Sequence, residues 1–309
     1  MSHHFSMGIS RIAQRTVQDV LNSMGLELRR KPQKIATPTP PPLYDDPLEA
    51  LYRVRGEQKA AFLCPIRQIV VLKGFGFGKE RWHPLSDAIR GYNEHGYDYA
   101  ENLLANFYGA HQPLDASKAI PGFEYAPDIL KTLRPHLYHL SPWTALSPDE
   151  IDSAVRSWTR KDNAEHGRND LSFDSHGFVL HGPVHEDKRR LELNRLLALR
   201  ASIAQNGFNR TFGDVNVRVL KRKNEFLFIA NGGGHHRTAI MAALGYDFIP
   251  AQFFPGPIVN DVADVELWPQ VRFGNWSADQ ASAYVDHLFD FDSVAWARQQ
   301  QLVNSTKRL

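Results

Sequence analysis

The sequence predicts an α+β fold: a mixed sheet of short strands, a mainly helical N-terminal region and a helical C-terminal tail. Three observations carry that expectation. Short apolar or alternating runs at residues 61–64, 68–72, 215–220, 225–230 and 247–253 have the length and periodicity of strands. Stretches with apolar residues three and four apart, the longest at 186–205, have the periodicity of helices. Two helices open on capping boxes, Ser147-Pro148-Asp149-Glu150 and Ser277-Ala278-Asp279-Gln280, where a serine and the Glu or Gln three residues on satisfy free amides.

In chain order, five segments are expected. Residues 1–31 hold an amphipathic helix with Ile9, Ile12, Ala13, Val17, Val20 and Leu21 on one face, followed by the basic run Arg29-Arg30-Lys31. The apolar face of residues 8–30 can lie on an anionic membrane surface; the alternatives are packing on the body of the protein or on a second copy, as in a homodimer. Residues 32–48 read as a proline-rich linker, since proline cannot donate to a sheet ladder. Residues 49–165 form a mixed, mainly helical accessory region, with a loop at Gly74-Phe75-Gly76-Phe77-Gly78 and helices over 85–93, 99–108 and from 148. Residues 166–258 run as a short strand at 178–180, a helix over 186–205 with Leu193, Leu196, Leu197, Ile203 and Ala204 on one face, and a hairpin turning at Lys223-Asn224. A glycine turn, a helix over 238–244 and a strand at 247–253 complete that segment. Residues 259–309 are a helical extension.

Composition narrows the function classes. Lys plus Arg number 36 against 34 Asp plus Glu, a net charge of +2 that gives little attraction to a phosphate backbone and argues against DNA as a partner. The single cysteine, Cys64, lies in an apolar run, which excludes an internal disulfide and a cysteine-built metal cage. No apolar run approaches the length of a spanning helix and the N-terminus lacks the apolar core of a secretory signal, so the expected location is cytoplasmic. Contact with the inner membrane surface through residues 8–30 is the peripheral variant.

The chemistry concentrates at Gly232-Gly233-Gly234-His235-His236-Arg237-Thr238, between the strand at 225–230 and the next helix. Three glycines permit backbone geometry that aims amides at one point, and the helix start adds unpaired donors and a positive dipole end. Phosphate suits such a corner. Arg237 supplies a planar fork for two phosphate oxygens, and His235 and His236 can exchange protons near neutral pH. A plain flexible turn is the alternative, but three basic residues at a helix N-terminus oppose its dipole unless an anion or a carboxylate offsets them.

The glycine turn, with Ala201-Ser202-Ile203-Ala204-Gln205-Asn206-Gly207, the strand at 215–220 and Ala243-Leu244-Gly245-Tyr246-Asp247-Phe248-Ile249-Pro250, resembles the ParB/sulfiredoxin-like superfamily over about residues 178–253. The resemblance implies a compact α/β domain whose Gly-x-His-Arg turn binds nucleotide phosphates. It implies ATP, CTP or another nucleoside triphosphate as ligand, with Mg2+, and phosphotransferase or NTPase chemistry on a small-molecule or glycan-related acceptor. The flanks Trp82-His83-Pro84, His111-Gln112-Pro113, Pro142-Trp143 and Leu267-Trp268-Pro269 resemble a bacterial group with this domain, associated with surface-polysaccharide gene neighbourhoods. A non-catalytic nucleotide-dependent switch or scaffold is the alternative function.

Departures from the family patterns refine this. The sulfiredoxin catalytic cysteine falls on His235, which removes thiol chemistry on a sulfinic acid. The serine-kinase-like turn carries an acid where this chain has Gly233, so a base must come from elsewhere. Glu186, or its neighbour Asp187, at the head of the helix over 186–205 is the expected source, the alternative being two acids favourably placed at a helix start. The tail from Val262 offers no clear helix-turn-helix DNA reader. His176, His181 and His185 could join the turn histidines around a metal, against their being scattered surface residues. Lys188-Arg189-Arg190 with Arg195 read as a basic rim or as a solvated helix face, and Trp82, Trp143 and Trp268 as stacking platforms or as core.

Overall fold

The computed structural model describes residues 39–54, 59–230, 234–254 and 259–303. The helix expected over 8–30, the first part of the proline-rich linker (32–38), Gly232 and Gly233 lie outside the described residues.

A mixed sheet forms the frame. β1 (Leu43–Tyr44) pairs parallel with β2 (Ala61–Pro65), and β2 pairs antiparallel with β6 (Phe248–Phe253). β6 runs parallel to β4 (Val215–Arg222), which forms the expected hairpin with β5 (Glu225–Ala230). β3 (Ile69–Val70) closes the far edge parallel to β5, and β7 (Val259–Asp261) continues along the β4 edge where β6 leaves it. The class is therefore α+β with a mixed sheet. Lys223 takes the left-handed conformation in the hairpin turn (φ 54°), as a tight right-twisted hairpin requires.

Two sequence expectations are corrected here. Residues 32–48 are not linker throughout: Leu43–Tyr44 is an edge strand, where prolines just upstream displace no ladder donor, and Asp46 caps the helix α1 (Pro47–Arg53) by accepting from Leu48 N at 2.7 Å. Residues 178–180 form no strand. The segment turns back on itself, with His181 N donating to Phe178 O at 3.2 Å. Side chains take the next carbonyls, Tyr108 Oη donating to Val179 O and Lys73 Nζ to Leu180 O.

Period-two alternation along the strands sorts two cores. Phe62, Cys64, Ile69, Val215, Val217, Val219, Phe228 and Ile249 point to one face. There they meet α2 (Pro84–His95), α3 (Tyr97–Ala110), α7 (Glu186–Asn206) and α8 (His235–Ala243). Val70, Leu220, Leu227 and Ile229 point to the other face, covered by aromatic residues from 116–155 and 268–288. That second layer includes the short helix α4 (Asp128–Thr132), α5 (Pro148–Glu165), the single turn α6 (Phe173–His176), α9 (Pro269–Arg272) and α10 (Ala278–Asp290), and α11 (Ser293–Gln299) closes the described chain. Both expected capping boxes form, at Ser147–Glu150 and Ser277–Gln280. Arg81 reaches across the chain to the carbonyls of Leu288 and Phe289, satisfying acceptors that the last turn of α10 leaves open.

One consequence positions the site. Strands from residues 43–70 and 259–261 share a sheet with those from 215–253, so the expected segment boundaries at 48, 165 and 258 divide the chain but not the sheet. No helix among the described residues is long and apolar enough to cross a membrane.

Candidate functional site

The site is built where β5 ends and α8 begins. Gly234 caps α8 with ordinary right-handed angles (φ −95°, ψ −21°), so its glycine identity answers to space rather than to conformation: a Cβ there would come within 2.5 Å of Val215 Cγ1. Thr238 N donates to Gly234 O at 2.9 Å, and the amides of His235 and His236 precede it at the positive end of the helix.

The four polar side chains of the turn have different fates. His235 is pinned inward, its Nε2 sharing a hydrogen bond of 3.1 Å with Ala230 O; burial pushes its pKa down to about 4, so the ring is neutral. Arg237 donates to Gly213 O, with its guanidinium 5.7 Å from the Phe208 ring centre. Thr238 is fully buried, its hydroxyl donating to Gly234 O at 2.9 Å, and so presents no group to a ligand. His236 projects towards another functional side chain.

That partner is Glu192, on the second turn of α7, whose Oε2 lies 3.0 Å from His236 Nε2. Glu192 is 1 % exposed. Its other contacts are Lys188 Nζ at 2.7 Å and Arg195 Nη1 at 2.8 Å; Lys188 also donates to Asn163 Oδ1 at 2.5 Å, and Arg195 grips both oxygens of Asp162. Burial on its own would raise the Glu192 pKa, but the His236 hydrogen bond and the charges of Lys188 and Arg195 prevail and hold it well below the usual carboxylate range. Two cations and two carboxylates balance, so the cluster is neutral when His236 is neutral. An ionised Glu192 accepts from Nε2–H, which assigns the His236 lone pair to Nδ1.

His236, His235 and Glu192 line one side of a cavity of about 30 Å3, with Leu85, Tyr108, Trp158, Val179 and Leu180 opposite, room for a water-sized molecule. Behind it lies a layer of buried titratable groups. Lys73, 2 % exposed, donates to Leu180 O and sits 3.3 Å from His111 Nε2, and burial pushes its amine well below the ordinary lysine value. His83, stacked on Phe77 at 4.2 Å, caps α2 and is likewise held neutral, first by burial and then by the neighbouring His235 and His236.

Several expectations are not met at this corner. Glu186 does not approach His236; it stands half exposed in the first turn of α7 and pairs with Arg190. Its neighbour Asp187 accepts nothing from the turn and lies 3.6 Å from His185 Nδ1. Lys188 belongs neither to a basic rim nor to a solvated face: it is 1 % exposed, because Glu192 one turn on and Asn163 of α5 satisfy its ammonium. The histidines at 176, 181 and 185 serve local turns, His176 Nδ1 accepting from Ser172 N, His181 Nδ1 facing Gly182 O and His185 capping α7. No group of three or more His, Cys, Asp or Glu among the described residues is placed to hold a metal ion. Trp82, Trp143 and Trp268 are core residues, at most 6 % exposed. Phe75 and Phe77 of the glycine-phenylalanine loop are buried too.

Glu192 is the residue that sequence reasoning missed. A signal existed: Lys188, Glu192 and Arg195 fall at i, i+4 and i+7, on the stripe that also carries Leu196, where charges belong only if they pair with one another. Of the three basic residues at the helix start, His236 is the one that Glu192 meets. Comparison with known proteins finds no matching family model, no matching curated protein and no matching solved structure.

Proposed function

We propose that the chain binds a nucleoside triphosphate at the Gly232–Arg237 corner and moves its terminal phosphoryl group to water or to a small or glycan-related hydroxyl acceptor. The observation that carries this reading is the Glu192–His236 pair at the head of α8: a buried carboxylate fixes the imidazole tautomer and leaves Nδ1 as a base at the positive end of the helix. The resemblance of the glycine turn to the ParB/sulfiredoxin-like phosphate site supports the same ligand class, and within that resemblance Glu192 takes the part expected of Glu186. In the proposed step the acceptor oxygen attacks the terminal phosphorus while its proton passes to His236 Nδ1, and the bond to the bridging oxygen breaks to release the nucleoside diphosphate. Glu192 stabilises the imidazolium that forms, as an oriented carboxylate does for a catalytic histidine. Among the described residues the donor set offers no protein-built seat for Mg2+, whose usual route into such sites is on the phosphates themselves. Thr238 plays no part in binding.

The test is thermal stabilisation and titration calorimetry with ATP, CTP, GTP and ADP, with and without Mg2+, followed by product analysis. A ligand present at about 100 times its Kd adds roughly 2.7 kcal/mol of stability, a shift that thermal melts detect. His236→Asn should retain binding and lower turnover by about 100-fold or more. Binding without turnover would make the corner a ligand-controlled switch. Absence of stabilisation by every nucleotide would overturn the reading.

A further inference from the structure

Lys73 and Lys188 are both buried, at 2 % and 1 % exposure, but only one of them is paired. Lys188 has Glu192 at 2.7 Å and Asp162 at 3.6 Å, whereas no carboxylate among the described residues meets Lys73. Its Nζ donates to Leu180 O and lies 3.3 Å from His111 Nε2, with the Tyr138 ring centre 4.8 Å away. An ammonium enclosed without a counter-charge is costly, so burial leaves Lys73 as a neutral amine. Such an amine has two N–H groups and one lone pair. A hydrogen bond with the Ala119 backbone favours the proton on the other ring nitrogen of His111, which makes Nε2 an acceptor. Leu180 O and His111 Nε2 therefore take both N–H groups, and no donor among the described residues reaches the lone pair.

The surroundings are basic. Lys73 stands close enough to His111, His139 and His181 for its charge to oppose protonation of all three rings. His181 is 8 % exposed; its Nδ1 faces Gly182 O at 2.9 Å, and its Nε2 is buried with no hydrogen-bond partner. An enclosed ring nitrogen of this kind is a costly arrangement unless a further group completes it. Two cavities end one residue short of the amine: His111 lines an open cleft of about 580 Å3 with Ser117, Gly122 and Trp296, and Leu180 lines the 30 Å3 cavity beside His236. Lys73 lines neither, so only a small uncharged reagent suits its enclosure.

We infer that Lys73 is a carbon dioxide site, at which the buried amine captures CO2 and holds it as a carbamate facing His111 and His181. In this step the Nζ lone pair forms a bond to carbon, one C=O π pair moves onto oxygen, and an Nζ proton passes along the existing hydrogen bond to His111 Nε2. A neutral amine, CO2 and an imidazole become a carbamate anion and an imidazolium, with nothing oxidised or reduced. CO2 is small, linear and uncharged, which fits the enclosure. The lack of a neighbouring carboxylate fits the product, because a second anion would repel it. Beside an anion in place of an amine, the same histidines gain a reason to protonate, and the His181 Nε2 lone pair is a second seat for the counter-charge. The site does not depend on nucleotide binding at the His236 corner.

The test equilibrates the full chain at about pH 7 with carbon-13 bicarbonate and its CO2, esterifies carbamates with a trialkyloxonium salt, and maps the labelled peptides by mass. An ordinary lysine with a pKa near 10.4 is neutral in only about 1 part in 2,500 at that pH, so Lys73 should carry the label at least about 100-fold above the exposed Lys79 and Lys131. The α-amine, which titrates near pH 8, is labelled too and shows that the reagents worked. His111→Gln, which keeps a polar side chain but takes no proton, should lower the Lys73 label by about 10-fold or more. Lys73→Met should remove the corresponding carbon-13 carbamate signal from the NMR spectrum and leave that of the α-amine. Mapping of the native chain decides the matter even if either variant fails to fold. Label confined to the α-amine, or no more of it on Lys73 than on Lys79, would overturn the assignment; an undiminished label in folded His111→Gln would overturn the proton transfer.

Discussion

Acidification from about pH 7 to about pH 5 should remove a large part of the folding stability, through histidines that fold in the neutral form. Burial lowers His111 to about 2, His139 and His181 to about 3, and His235 to about 4. An unfolded histidine titrates near pH 6.5. In that window the unfolded chain therefore takes up protons that the folded chain refuses, and stability present above about pH 6.5 is lost as the pH falls towards the folded values. Each group that refuses a proton across the interval contributes about 2 kcal/mol of loss. His111 and His181, the most enclosed of the four, together give about 4 kcal/mol; His139 and His235, open on one side to cavities, add a smaller screened amount. Lys73 acts with the same sign at higher pH, since its buried amine also prefers the neutral form. Against the 5–15 kcal/mol that single domains typically possess, a loss of about this size should be plain in urea unfolding followed by tryptophan fluorescence at the two pH values. His111→Gln should reduce the difference between them by about 2 kcal/mol. An unfolding midpoint as high at about pH 5 as at about pH 7 would refute the reasoning, because it would require these rings to be protonated in place or open to water.

Other expectations concern single sites. Glu192→Leu leaves Lys188 and Arg195 buried beside each other without their shared carboxylate and should lower stability by about 3–5 kcal/mol, whereas the double replacement with Lys188→Met should restore part of that, a coupling that a double-mutant cycle measures. Gly234→Ala, which drives a methyl group into Val215, should destabilise by about 1–3 kcal/mol in thermal unfolding although the backbone angles suit alanine. Ser147→Ala opens the capping box of α5 and should lower stability by about 1 kcal/mol, with helix content otherwise kept by circular dichroism. Glu186→Gln, on an exposed pair with Arg190, should change stability by well under 1 kcal/mol and leave any nucleotide turnover intact.

What the sequence determined by itself is local. The α7 start and stop, both capping boxes and the β4–β5 hairpin follow from residues within a few positions of one another, since caps, turns and side-chain periodicity are short-range effects. The α+β class follows from the same signals. Tertiary structure alone decided which strands share the sheet, because pairing β2 with β6 joins residues far apart in sequence, and runs of similar apolar character do not encode their partners. It also decided why residues 178–180, apolar enough for a strand, form none: Tyr108 and Lys73 arrive from elsewhere to take their carbonyls. The candidate site divides along the same line. Sequence located the basic turn and the need for an opposing negative charge; the fold selected Glu192, 44 positions away, over Glu186 because the second turn of α7, and not its exposed first turn, packs against α8.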